Sequence, residues 1–559
     1  MRIKKISKNV KLVVFLTLII SINTNGQENA SNHGLFINDW TGNNFEKPQL
    51  VKNSDEPIGN VGFTVSVFND SILNKVSSYI SGINATTYTG NYLDDKEFLK
   101  NVSALNLGLI RFPGGDASNM YFFNGLPNDL PSNVLTFNGQ WTDFSDGTAD
   151  MNWKMNTQRY YAFLDSVGSK GIITVNYPYA RYGTSTNPVT KAASLAASWV
   201  RFDNGRTKYW EVGNETYACW EGGFRIDTTL NKDGQPEYIN GKLYGEHFKV
   251  FADSMRAAAK QIGIEIYIGA VFADDDNVWD GSGKNITKNW NTLLAKELRK
   301  KDGSNYADFI SIHSYFLNKS EKKPNEVINS YKVSKEIQDF IYSKLDDAGV
   351  THVPLALTEW NTKPGFQTTQ ISALQNIAAF CKMQEIGLGA ACNFSLKDHW
   401  RAENKDFGMF SNNDPILPNS SPYPSFYHFY FLNKTIGDKM NKIQIVPAND
   451  SLLCFASSFE NGGIGMVIIN KSETSQSIQI DLKDFKIGEK YYWYEIAKFD
   501  DGNIWSEKIS INGISNAKYT KGGPSENYAK ISAWTKNTKQ GIKLNIEGFS
   551  AIYLSIESK

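Results

Sequence analysis

From residue 60 to about residue 438, short apolar runs rich in β-branched and aromatic residues alternate with longer stretches of helical period. The runs fall at 61–68, 109–112, 172–177, 209–212, 265–272, 309–313, 355–359 and 390–394, with segments such as "QRYYAFLDSVGSKG", "YGEHFKVFADSMRAAAKQIG" and "NEVINSYKVSKEIQDFIYSKLDDAG" between them. Eight βα units of this kind predict a closed (β/α)8 barrel, a TIM barrel, with polar groups gathered at the carboxyl ends of its strands. An open doubly wound sheet would want a glycine-rich phosphate turn after its first strand, and "VGFTVSVFNDS" has none. After "SFYHFYFLNKTIG", read as the eighth helix, the pattern turns to short alternating strands separated by Asn-Asp, Asn-Gly-Gly and Asp-Gly, which predicts a C-terminal antiparallel β-sandwich. The expected layout is a signal peptide at 1–27, an N-terminal segment at 28–58 that pairs with the sandwich through "GLFINDW", a barrel at 59–438 and a sandwich at 439–559.

Length fits this division, since 559 residues exceed what one hydrophobic core supports. The first 27 residues run from a basic stretch through an apolar core to small polar residues, the pattern of a secretory leader, with no cysteine after it to carry a lipid. Export without a membrane anchor is expected. Lys and Arg (58) balance Asp and Glu (58), which argues against nucleic acid or an anionic membrane surface as partner. Aromatic residues make up 13%, and flat rings suit the faces of sugars. The four cysteines, Cys219, Cys381, Cys392 and Cys454, lack metal-ligand spacing and read as buried thiols, and no cofactor or metal motif is found. Oligomeric state is not legible in one chain.

Candidate chemistry sits where strands end. Glu215 closes "YWEVGNE" at the fourth run and Glu359 closes "LALTEW" at the seventh, so both point into one bowl. Two carboxyls facing one pocket suit glycosidic bond cleavage: one protonates the leaving oxygen while the other attacks the anomeric carbon or activates water. Such an acid needs its pKa raised by burial and a nearby anion, and its partner needs a fixed cation to stay charged. Arg111, ending the second run before "FPGG", can supply that cation. Asn176, Tyr177 and Tyr179 end the third run in "VNYPYARYG", where a sugar subsite and plain packing are equally open. Asp274 to Asp276 and Trp279, in "FADDDNVWDGSGKN", read either as a solvated turn or as part of an extended subsite.

"WEVGNE" followed by "LTEWN" resembles the retaining glycoside hydrolases of clan A, and "IRFPGGDASNMYFFNG" is most similar to the family 51 α-L-arabinofuranosidases. The resemblance spans the barrel and the trailing sandwich. It implies Glu215 as general acid/base, Glu359 as nucleophile, Asn214 as the contact to the sugar 2-hydroxyl and Arg111 as the cation that keeps the nucleophile ionised. It further implies His313 and Tyr315 of "SIHSY" as sixth-strand polar residues and Trp400 as a sugar-stacking ring. Those enzymes carry a glycine-aromatic-acid pattern at their first strand, which "VGFTVSVFNDS" lacks. An endo-acting β-glycanase, of β-glucanase or agarase type, therefore stands beside the arabinofuranosidase as an alternative. A carbohydrate-binding protein without catalysis is the reading from another class. In each case the partner is a polysaccharide or oligosaccharide.

Overall fold

The computed structural model describes residues 33–136, 139–141, 144–146, 154–278, 283, 286–316, 323–362, 365–401, 406–524 and 527–559. The expected leader at 1–27 and Trp279 lie outside the described residues.

Eight parallel strands close into a barrel: β1 (Gly82–Asn84), β2 (Leu109–Phe112), β3 (Lys170–Val175), β4 (Tyr209–Val212), β5 (Tyr267–Phe272), β6 (Phe309–Tyr315), β7 (Leu355–Asn361) and β8 (Ala390–Asn393). One principal helix follows each strand: α1 (Lys96–Ala104), α2 (Thr157–Val167), α3 (Pro188–Asp203), α4 (Gly241–Gln261), α5 (Trp290–Leu298), α6 (Val333–Ala348), α7 (Gln370–Glu385) and α8 (Pro424–Thr435). Side chains stop and start these helices locally. Asp95, Asn156, Asn240 and Thr369 each accept a first-turn backbone N–H, and Gly168 and Gly349 end α2 and α6 in the left-handed conformation.

Seven of the predicted strands are barrel strands, and the first is not. The run at 61–68 belongs to Phe63–Lys75, a long strand of the other sheet, antiparallel to Lys439–Val446 and parallel to Gln476–Lys483. The true β1 is only three residues long and too short to carry a periodic signal. The barrel therefore begins after residue 75, and the missing family pattern at "VGFTVSVFNDS" was sought on a strand that never enters it.

The second sheet holds twelve strands and is mostly antiparallel. Its inner face buries Val65, Val67, Ile468, Ile480, Trp493 and Leu554 in one core. The N-terminal segment does reach this sheet, but through Val51–Asn53, parallel to Ala533–Thr535. "GLFINDW" does something else. Gly34–Ile37 forms a 3-10 turn that inserts Phe36 into the amino end of the barrel, where its ring lies 4.9 Å from Tyr209 and 5.4 Å from Phe309. Leu109, Ile172, Ala356, Ala390 and Cys392 complete this apolar floor. The sheet docks on α7 and α8 through a buried polar contact: His428 bridges the Tyr553 hydroxyl and the Gln370 side chain, and Gln370 donates to the carbonyls of Ile496 and Phe549. All four cysteines are buried, and none of them forms a disulfide.

Phe36 is 1% exposed and closes the amino end of the barrel, packed with Tyr79, Tyr209 and Phe309. Phe36→Ala is expected to cost about 3–5 kcal/mol, read as a lower urea midpoint for the barrel transition.

Candidate functional site

Above the apolar floor the barrel interior turns polar. Strand alternation places Arg111 above Leu109 on β2, Thr174 above Ile172 on β3, Glu211 above Tyr209 on β4 and Ser311 above Phe309 on β6. These groups satisfy one another. The Arg111 guanidinium, fully buried, donates from Nε to Glu211 (2.6 Å) and from one terminal nitrogen to Asn84 (2.9 Å) and Glu359 (2.8 Å). Its other terminal nitrogen donates to Asn214 (2.8 Å). Glu211 also accepts from Thr174 (2.7 Å) and Ser311 (2.6 Å). Burial alone would raise the Glu211 carboxyl, but Arg111, His313 and the hydroxyls of Ser311 and Thr358 hold it below its ordinary value.

Two backbone departures lift the glutamates of the rim into place. On β7 the pairing with β6 slips between Ile312↔Leu357 and His313↔Glu359. The slip turns consecutive residues inward: Thr358 bonds Ser311 (2.7 Å) and Glu359 meets Arg111. On β4 the chain bends at Gly213, φ +88°, where a Cβ would stand 2.7 Å from Thr216 and 2.9 Å from Tyr177. Glu215 follows with φ +41°, a left-handed conformation that costs a non-glycine residue about 1–2 kcal/mol. Asn119 brackets the bend by donating to the Asn214 carbonyl (2.8 Å) and accepting from its N–H (3.1 Å).

An oxygen of Glu215, an oxygen of Glu359 and a His313 ring nitrogen all lie within 4.8 Å of one another. His313 Nδ1 is 3.0 Å from Glu215 and 3.6 Å from Glu359. The Tyr315 hydroxyl donates to Glu359 (3.0 Å), and the Trp220 indole N–H donates to Glu215 (2.8 Å). Divalent ions can be held by trios of this spacing, and here Arg111, Tyr315 and Trp220 donate to the two carboxylates.

The expectation of a raised pKa at Glu215 is not met. Burial pushes that way, but His313, Trp220 and Arg111 outweigh it and hold Glu215 below the ordinary glutamate value. Around it stand acids shifted the other way. Asp116, after β2, and Asp274, after β5, are pushed up to about 6, first by surrounding protein and further by neighbouring carboxylates. Asp274 lies within electrostatic reach of Glu215, while Asp276 pairs with Lys344 at 2.5 Å.

The structure thus gathers Glu215, Glu359, Asn214, Arg111, His313 and Tyr315 into one bonded cluster. Asn176 stays outside it. Its amide accepts from the Tyr179 N–H (3.0 Å) and donates to the Tyr182 hydroxyl (3.0 Å) within the protein. Trp400 is half-buried on the loop after β8, and its backbone N–H donates to Asn412. No hydrogen bond or ring contact ties its side chain to the cluster among the described residues. Sequence reasoning missed Glu211, Asn84 and Asn119, and it reads "WEGGF" at 220–224 only as part of an extended subsite, without the contacts of Trp220 and Glu221 to Glu215 and Asn214. Glu211 had a signal, a charge at an inward position of an apolar strand, whereas Asn84 lies on the strand that was not recognised.

No protein-family model matches the chain, and no curated protein sequence matches it. Solved structures share its fold over nearly its whole length. An α-L-arabinofuranosidase from Thermotoga maritima is 16% identical, with a TM-score of 0.60, covering 89% of this chain and 100% of its own. A family 51 α-L-arabinofuranosidase from Bifidobacterium longum is 13% identical with a TM-score of 0.62 and the same coverage. A Paenibacillus polymyxa xyloglucanase of glycoside hydrolase family 44 is 11% identical with a TM-score of 0.55, covering 89% of this chain and 99% of its own.

Arg111 neutralises Glu211 and Glu359 at once, so removing it strands two buried carboxylates. Arg111→Met is expected to destabilise by about 3–5 kcal/mol in chemical denaturation, and adding Glu211→Leu should recover part of the loss.

Proposed function

We propose that the protein is a retaining glycoside hydrolase in which Glu359 is the nucleophile and Glu215 the general acid/base. The observation that carries this reading is the carboxyl spacing. One oxygen of each glutamate lies within 4.8 Å of the other, nearer the ~5–5.5 Å separation of retaining pairs than the ~6.5–9.5 Å of inverting ones. The shared fold with solved glycoside hydrolases supports the same class.

The roles follow from the bonding. Arg111 and Tyr315 both donate to Glu359 and aim its carboxyl. Its carboxylate attacks the anomeric carbon as the bond to the leaving oxygen breaks, and Glu215 gives that oxygen its proton. A glycosyl ester on Glu359 results. Glu215, now a carboxylate, takes a proton from water, whose oxygen attacks the anomeric carbon and frees Glu359. Asn214 accepts from Arg111 and donates to Glu221, which leaves one amide hydrogen for the 2-hydroxyl of the sugar. The substrate is a polysaccharide or oligosaccharide, with α-L-arabinofuranosides favoured, because solved α-L-arabinofuranosidases share the fold with TM-scores of 0.60 and 0.62. The xyloglucanase keeps endo-acting cleavage of a β-glycan as the second reading. The leader-like first 27 residues support export of the mature chain, and no described helix is long and apolar enough to cross a membrane.

Glu359→Ala should abolish turnover with the fold intact, and Glu215→Ala should lower it by about 10²–10⁴. Proton NMR of the first product should show retained anomeric configuration; inversion would overturn the mechanism. Product masses from arabinan, xyloglucan, β-glucan and algal galactan separate exo from endo action. Binding without hydrolysis on all four would favour a non-catalytic binding protein. Because Glu215 must be protonated to act and the free protein holds its pKa low, kcat/KM should fall as pH rises, with its alkaline limb on the acid side of neutrality.

A further inference from the structure

Two residues of the loop after β4, Trp220 and Glu221, face the pair Asn214 and Glu215 one to one. The Trp220 indole donates to Glu215 at 2.8 Å, and Glu221 accepts from the Asn214 amide at 3.1 Å and from Asn119 at 2.6 Å. The amide orientations are fixed independently. Asn214 must turn its oxygen to Arg111 (2.8 Å), and Asn119 must turn its own to the Asn214 backbone N–H (3.1 Å), so each presents an NH2 to Glu221. Glu221 is 1% exposed, and both its oxygens are used as acceptors. A glutamine would bring one NH2 against one of these donors. Trp220 differs in leaving its ring 40% exposed at the cleft, beside the carboxyl it contacts.

We propose that Trp220 and Glu221 act as a two-residue clamp of positioning residues, Trp220 setting how readily Glu215 takes and gives a proton and Glu221 fixing Asn214 for the substrate. The proposal rests on the glycosidase reading for its catalytic meaning, but the clamp itself is a property of the free protein. Glu215 is surrounded by His313 from β6, Glu359 from β7, Arg111 from β2, Asp116 and Asp274 from the turns after β2 and β5, and Glu221. The phenols of Tyr217 and Tyr315 also face it. Of these neighbours the acids oppose its ionisation, and the indole N–H is one of the donors that offset them. Burial, together with Asp116 and Glu215, pushes the Glu221 carboxyl well above the usual range.

The clamp is tested first without turnover. In protein carrying ¹³C-labelled glutamate, with Glu215→Gln to assign the resonance, Trp220→Phe should raise the titration midpoint of Glu215 by about half to one pH unit. An unmoved midpoint overturns the role of Trp220. In Glu221→Gln the side-chain amide resonance of Asn214 should shift or broaden, and an unchanged resonance overturns the role of Glu221. The kinetic counterpart is an alkaline limb of kcat/KM displaced upward by the same interval in Trp220→Phe. Glu221→Gln should lower kcat on the order of tenfold to a hundredfold, and lose that effect when made on Asn214→Ala. Should the wild-type protein hydrolyse no glycan, the glycosidase reading fails while the two NMR measurements still decide the clamp.

Discussion

One buried guanidinium organises this site. Arg111 stands where a TIM barrel ordinarily packs a layer of branched aliphatic side chains, and it binds residues from β1, β4, β7 and the bend after β4. A buried cation is tolerable only if most of its hydrogens are directed at good acceptors, and two carboxylates and two amide oxygens take four of the five. Because the partners come from strands on different sides of the barrel, satisfying Arg111 fixes their mutual distances. The position of Glu359 is thus a by-product of burying a charge.

The rest of the site is built by local violations of regular structure. A strict β7 would point either Thr358 or Glu359 inward, and the slipped register allows both. A regular exit from β4 would carry Glu215 away, and the bend through Gly213 with a left-handed Glu215 returns it. Each device costs stability locally and is held by hydrogen bonds from elsewhere: Ser311 for the slip, Asn119 for the bend. Strain of this kind gathers where function needs geometry that regular strands do not offer.

Much of this was legible in the sequence. The alternation of apolar runs and helical periods specified the barrel, because both signals come from burial on one face. The glutamates at the ends of β4 and β7 were readable as a pair, since strand ends share a rim. What escaped has physical reasons. β1 is three residues long, and no periodicity can be seen in so short a run, so the stronger strand upstream was taken in its place. Trp220, Glu221 and Asn119 lie in irregular segments, where side-chain direction follows tertiary contacts and not sequence spacing. The low pKa of Glu215 was equally hidden, because its donors come from separate elements, β6, the loop after β4 and β2.

The strand Phe63–Lys75 bears on how the molecule comes to be assembled. It is read by the ribosome before any part of the barrel, yet its neighbours in the sheet are Lys439–Val446 and Gln476–Lys483. During synthesis its backbone edges must wait for more than half of the chain to emerge, while the barrel that lies between can begin to fold. Pairings this distant in sequence are slow to form and leave an apolar strand open to wrong partners in the meantime. Its outer half offers protection: beyond Val67 the strand reads "FNDSILNK", with an acid, a lysine and two asparagines and no fully buried side chain. Order of synthesis, and not stability alone, has thus left its mark on the composition of this strand.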